Sequence, residues 1–348
     1  MTHPGVSAFP MFRYVARRLL ASAVAVVMLV VVVFLMTKAI PGDEAHVAAG
    51  ASATPAQVAA MRHTLGLDQP LPAQLLVYMG RLIHGNLGTS IVTHAPVGRA
   101  IGQALPVTFE LVVLAMVLML MLVIPAACIA TRRPEKKVDN SIRVAVLLFT
   151  ALPTYWIALE LQQLLTVKLR VFPSTGSISN GYAVPRHSGS VLLDSLLGGN
   201  VAAFSNALQH YLLPAFVLMI PFTATLFRAL RAEMLSVLGR EHIMVARACG
   251  LPTGRLVFRH VFPNAAGPAL TVLGVQVGDM IGASVLVEAV FGLNGMGSFL
   301  TNAVYNKDTL AVLAGVLVIG VTVVCANLVV DVLQMIRDPR LRTGQAVA

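Results

Sequence analysis

The chain has 348 residues, of which 57% are hydrophobic and only 11% charged, and its mean hydropathy is +0.80. Soluble domains carry about 25% charged residues, so one large soluble core is excluded and a polytopic membrane protein is expected. The formal charge of +10 falls on loops between apolar runs rather than on a basic stripe of a soluble module, which argues for a topology signal and against nucleic acid.

Residues 1–18 carry Arg13, Arg17 and Arg18 ahead of an apolar run. That start is like a signal peptide, but the run is too long for one and no small-residue cleavage site follows cleanly. A retained first span at 19–40 is expected. The external loop 41–103 comes next. "TPAQ" at 54–57 reads as a capping box with Pro55 at the first helical position. Val58, Met61 and Leu65 then share a face, and Gly66 ends the helix. A second helix, near 72–84, places Leu75, Met79 and Leu82 on one side. Both helices suit the membrane surface or the top of a bundle.

Further spans are expected at 104–130, 144–167, 210–232, 264–288 and 309–333, since about 20 apolar residues cross a bilayer. The loops between them are 131–143, 168–209, 233–263 and 289–308, and the tail is 334–348. The loop 168–209 is rich in Gly and Ser and reads as loosely ordered. The expected fold is therefore all-α with six transmembrane helices. Placing both termini in the cytoplasm puts 17 of the 25 Lys and Arg residues inside. The three cysteines, Cys128, Cys249 and Cys325, lie in or beside spans and show no metal spacing, so no disulfide framework is expected.

One cytoplasmic stretch, "ARACGLPTGRLVFRHVFPNA" at 246–265, is basic and free of acids. Ile243, Ala246 and Cys249 recur at helical spacing, Gly250 is a helix stop, and Pro252 suits the first turn of another helix. Arg255 and Arg259 lie one turn apart. Two short helices with a glycine bend are expected at the inner membrane surface. By residue chemistry alone the segment is either an interfacial helix on anionic lipid or a dock for a cytosolic partner.

A resemblance selects between these. "EHIMVARACGL" (241–251) is similar to the "EAA" loop of ATP-binding-cassette importer permeases, in the dipeptide, oligopeptide and nickel branch of the binding-protein-dependent transport family. Other marks stand in order: "YVARRLL" (14–20), "IPGD" (40–43), "LGLDQPLPAQ" (65–74), "HGNLGTS" (84–90), "LPVTFEL" (105–111), "VLVEAVFGLNGMG" (285–297), "NLVVDVL" (327–333) and "DPRLR" (338–342). Each is weak alone, but their order and spacing are specific. The resemblance implies a type I importer permease fold and a coupling loop in which Glu241, Ile243, Ala246, Arg247, Ala248, Gly250, Leu251 and Arg255 engage an ATPase. It also implies a second homologous permease subunit, two cytosolic ATPase subunits that hold ATP and Mg, and an external substrate-binding protein. The implied solutes are di- or oligopeptides, with a nickel chelate or another small solute as the alternative.

No phosphate-binding Gly-x-x-x-x-Gly-Lys-Ser/Thr loop occurs, nor a Gly-x-Ser-x-Gly elbow or a His-Glu-x-x-His site. Catalysis and cofactor binding are therefore not expected in this chain. His63, His84 and His94 share the first external loop at spacings that fit no metal motif, so surface histidines are expected there. Within the spans, Asp279 and Gln276, three residues apart, are candidates to face a solute pathway, with Glu160 as a second candidate. The alternative is that Asp279 only hydrogen-bonds a neighbouring helix. Gly274, Gly278 and Gly282 form a small-residue ridge for close helix packing. A stand-alone secondary transporter or channel should show inverted repeats and interrupted helices, and neither is legible. A membrane-embedded enzyme is disfavoured by the missing catalytic constellation.

Overall fold

The computed structural model describes residues 9–39, 43–50, 52–132, 134–182, 184–185 and 188–337. The first three residues of "IPGD", Arg133, Arg186 and the "DPRLR" segment lie outside them. Among the described residues the chain is all-α. Helix α1 (Phe9–Ala39) leads to a cap of three short helices, α2 (Glu44–Ala49), α3 (Pro55–Leu65) and α4 (Leu71–Ile83). Then come α5 (Val97–Arg132), α6 (Lys137–Thr150) and α7 (Thr154–Leu161), which runs into a π-turn at Gln162–Lys168. The short α8 (Val191–Leu197) precedes α9 (Val201–Leu238) and α10 (Glu241–Ala248). Helix α11 (Thr253–Leu256) continues through a π-turn at Val257–Val261 into α12 (Phe262–Phe291). Helices α13 (Met296–Tyr305) and α14 (Thr309–Arg337) complete the order.

The core is the α5–α9–α12 bundle. Lipid tails are as apolar as Leu, so close packing rather than water exclusion holds such helices together. The seams show it: Ala115, Ala127, Ala130, Ala207, Ala215 and Ala265 are all fully buried between larger Tyr211, Phe227, Met119 and Met280. Helices α1 and α14 form a second layer. The span of α1 buries only 11% of its most apolar window, and Leu20, Met28 and Met36 are open to lipid.

Five described helices are long and apolar enough to cross a bilayer: Leu19–Lys38, Val97–Arg132, Val201–Leu238, Thr253–Phe291 and Thr309–Val330. The third expected span, 144–167, is not one of them. It is broken between α6 and α7 at Ala151–Pro153, because Pro153 has no N–H to donate and disfavours the helical region for Leu152. Both pieces still pack on α9. The chain thus contains the interrupted helix that its sequence does not announce.

Two loop expectations are also corrected. Helix α9 has 38 residues, roughly 57 Å at 1.5 Å per residue, and begins nine residues before the expected span. The supposedly loose loop 168–209 is instead tied down. Asn206 Oδ1 accepts from the Ser179 amide at 2.8 Å, His210 Nδ1 lies 2.9 Å from the Gly176 carbonyl, and the Gly176 amide donates to the Phe291 carbonyl at 3.1 Å. The capping box at Thr54 and Gln57 and the left-handed Gly66 stop are present in α3. In α4, Leu75, Met79 and Leu82 pack toward Val30, Phe34, Tyr78 and Leu313.

Candidate coupling loop and polar sites of the bundle

Helix α10 hangs from the end of α9 by Gly239 and Arg240. Glu241 stands in its first turn and Arg247 in its last, each complementing the helix dipole. Ile243 is its one fully buried side chain, and Ala246 is half-buried against the main core. Glu241, Met244, Val245, Arg247, Ala248 and Cys249 are exposed. The helix ends in the two bonds of a Schellman motif: the Leu251 amide donates to the Ala246 carbonyl at 3.3 Å and the Gly250 amide to the Arg247 carbonyl at 3.0 Å. Gly250 makes this possible with φ +81°, in the left-handed region that L side chains avoid.

The second half of the expected helix pair is not a separate short helix. From Thr253 the chain is one helical column as far as Phe291. Pro252 stands just outside it at the N-cap rather than in its first turn. Pro263 brings no N–H to the Arg259 carbonyl, which accounts for the π-turn before α12. Leu256, Val257 and Val261 are buried, while Arg255 and Arg259 are exposed. Arg132, at the end of α5, lies 5.3 Å from the Phe258 ring centroid. A Cβ added at Gly254 would come within 3.3 Å of its guanidinium. A second anchor is absent from the sequence-based candidates. Asp139, fully buried at the start of α6, accepts both arms of a fork from Arg231 of α9, one of them at 2.7 Å. The Arg231 guanidinium holds the Asp139 carboxyl below the usual carboxylate range.

The candidate pathway residues separate. Gln276 is buried in the α9–α12 seam, where its Nε2 donates to the Phe222 carbonyl at 2.9 Å. Asp279 is exposed on α12 and Glu160 is exposed on α7. Positions three apart on a helix differ by about 60°, enough to put one inside a seam and the other outside it. Among the described residues neither Asp279 nor Glu160 has an ion-pair or side-chain hydrogen-bond partner. Of the glycine ridge, Gly274 and Gly278 admit α14: a Cβ at Gly274 would fall inside Val330, and one at Gly278 would lie 2.8 Å from Val323. A Cβ at Gly282 would have nothing within 4 Å among the described residues, so this glycine admits no described helix of this chain.

At the other end of α12 is a buried carboxylate with no role assigned from sequence. Glu288 accepts from Thr108 Oγ1 at 2.7 Å, Ser284 Oγ at 3.1 Å and the Gly297 amide at 2.7 Å. Thr108 in turn accepts from the Met296 amide at 2.8 Å. Glu110 does the same for α8, accepting from Ser190 Oγ and from the Leu192 amide at 2.6 Å. The available signal was an acid inside each of two otherwise apolar runs, "LPVTFEL" and "VLVEAVF".

The basic short helix between two span columns, with its glycine stop, is the feature that comparison with known proteins decides. The family described as "Binding-protein-dependent transport system inner membrane component" matches residues 123–343, and its N-terminal companion matches residues 11–112. The chain belongs to that family. The permease is 37% identical over 315 residues to a probable D,D-dipeptide transport system permease protein of Escherichia coli K12, covering 90% of this chain and 93% of the relative. It is 34% identical to a di/tripeptide transport system permease protein of Pseudomonas aeruginosa (95% and 99% covered) and 32% identical to an oligopeptide transport system permease protein of Bacillus subtilis (95% and 99%). The permease is thus a multi-pass inner-membrane subunit of an ABC importer, and its class of subunit is non-catalytic.

Proposed function

We propose that this permease forms half of a peptide pathway and is driven by separate ATPase subunits through α10. The carrying observation is the mounting of α10. It is seated by Ile243, stopped by Gly250, and joined within a few residues to both α9 and the α11–α12 column. A push on its exposed face, with Met244, Val245, Arg247 and Ala248, therefore reaches two core helices at once. The broken column α6–α7 with its π-turn supplies a sixth crossing, and both termini are cytoplasmic. Closure of two ATP-loaded ATPases would tilt these columns and alternate access. A second permease supplies the other half of the route and an external binding protein delivers the peptide, the solute class for which the relatives are named. Asp279 and Glu160 face that route, because charged side chains in spans avoid lipid and neither has a partner among the described residues.

The test is peptide uptake by the assembled complex in sealed vesicles. Ala246→Glu and Gly250→Pro should abolish uptake while leaving the helical circular dichroism of the permease unchanged. Cys249 should react only with thiol reagents reaching the ATPase side. Normal uptake by either variant would remove α10 from the coupling route.

A further inference from the structure

At the end of the bundle away from α10, a cleft of about 300 Å³ opens between the start of α5, the 177–191 stretch and α13. Its size is that of a small-ligand site. Gln103 of α5, Asn294 of the α12–α13 turn and Asn302 of α13 stand around it. All three are exposed, and among the described residues none of their side-chain amides has a hydrogen-bond partner. Ser177 and Ser298 add two hydroxyls, and no charged side chain lines the cleft.

Both rims are held from beneath by buried carboxylates. On one side Glu288 accepts from the Gly297 amide at 2.7 Å and Thr108 of α5 accepts from the Met296 amide at 2.8 Å, which clamps the α12–α13 turn onto α5. Gly295 has no room for a side chain there, since a Cβ would fall on the Glu288 carboxylate. On the other side Gly189, at φ +80°, sits so close to α5 that a Cβ would lie 3.2 Å from Pro106. Glu110 holds the residues after it through Ser190 Oγ and the Leu192 amide. Two buried acids thus fix the two rims of one cleft, while the amides between the rims are left unpaired. Polar groups placed rigidly and left without internal partners are the mark of a binding site.

The lining selects a ligand class. Each primary amide offers two donors and one acceptor oxygen. Three of them around a charge-free cleft match a neutral chain that presents N–H and C=O in turn at about 3.3–3.6 Å per residue. The lining has no cation or carboxylate to hold a charged chain end.

We propose that this cleft binds the backbone of a short extended peptide through Gln103, Asn294 and Asn302, whatever the peptide's side chains and end charges. The inference rests on the peptide reading above and gives that solute a site at the opposite end of the bundle from α10.

The test is photolabelling of the purified full chain in detergent by trialanine whose central side chain carries a diazirine, followed by mapping of the labelled residues. Saturable labelling within 100–107 or 294–302 is expected. Acetyl-trialanine amide should compete, and the same peptide methylated on every backbone nitrogen should not. Gln103→Ala, Asn294→Ala and Asn302→Ala should each weaken binding by roughly 3–10-fold, the loss of one or two neutral hydrogen bonds. Asn140→Ala, exposed on α6 and outside the cleft, should leave labelling unchanged. The three cleft amides are exposed and unpaired, so the fold survives their removal. Undiminished labelling of all three variants, or equal competition by the methylated peptide, would overturn the proposal. Equal competition by maltose would overturn it in favour of a hydroxyl-rich ligand. Trialanine uptake by the assembled complex separates the two readings: uptake without cleft labelling overturns this site alone, whereas failure to take up any peptide overturns the peptide reading beneath it.

Discussion

The two ends of α12 are built on opposite plans. At the Phe291 end, Glu288 is fully buried and gathers donors from α5, α12 and α13 into one knot. At the Thr253 end the chain leaves the bundle through a glycine in the left-handed region and an α10 that buries one side chain completely. A knot of hydrogen bonds in a dry medium resists displacement, because every opened donor is left without a partner. A turn held by two backbone bonds and one buried Ile yields more readily. The difference suits a lever whose far end is fixed and whose near end is pushed. The α5 and α6 contacts of Arg132 and Asp139 keep the soft end aligned without locking α10 itself.

Removing the knot is the sharpest way to break this contrast. Glu288→Ala leaves the Thr108 hydroxyl and the Gly297 amide without their acceptor, at about 1–3 kcal/mol each, and opens a void. A large loss of thermal stability in detergent is expected, with Glu288→Gln intermediate because its carbonyl oxygen can replace one acceptor. Stability near wild type for Glu288→Ala would show that the Phe291 end is not fixed by this residue.

The middle of α12 should respond next. Gly274→Ala forces α14 away at Val330, an overpacking cost of about 1–3 kcal/mol, whereas the Cβ of Gly282→Ala meets nothing within 4 Å and should be nearly silent. Parallel melting curves of the two variants separate a packing ridge from a helix that merely contains glycines. Equal effects would remove α14 from the account.

The smallest effect concerns the inner anchor and is visible only in acid. The folded carboxyl of Asp139 lies below its ordinary value, near 3.9 in the unfolded chain. The stabilisation is therefore fully present above about pH 4 and is lost as pH falls through the folded value. Wild type should lose stability over that acid range relative to Asp139→Asn, whose side chain does not titrate. Parallel pH profiles for the two would mean that the Arg231 fork contributes nothing measurable.

Much of this was legible along the chain. Apolar run length reports spans because a bilayer demands that length locally. The Thr54–Gln57 box and the Gly250 stop are contacts within a few residues, so their chemistry is written in adjacent letters. The order of motifs from "YVARRLL" to "NLVVDVL" carried the family. Pro153 was visible too, yet an apolar average over 144–167 passes across a break that a single missing N–H creates.

Contacts between distant parts of the chain were decided only by folding. Gln276 and Asp279 look alike as polar letters in one span, and the line of the α9–α12 seam runs between them. Gly274 and Gly282 are equivalent by spacing, but α14 crosses only part of the ridge. Asp139 meets Arg231 across 92 positions and Thr108 meets Glu288 across 180. Helical periodicity assigns each side chain to a face of its own helix. Which neighbour covers that face depends on how long columns cross, and that is set by the summed packing of all of them.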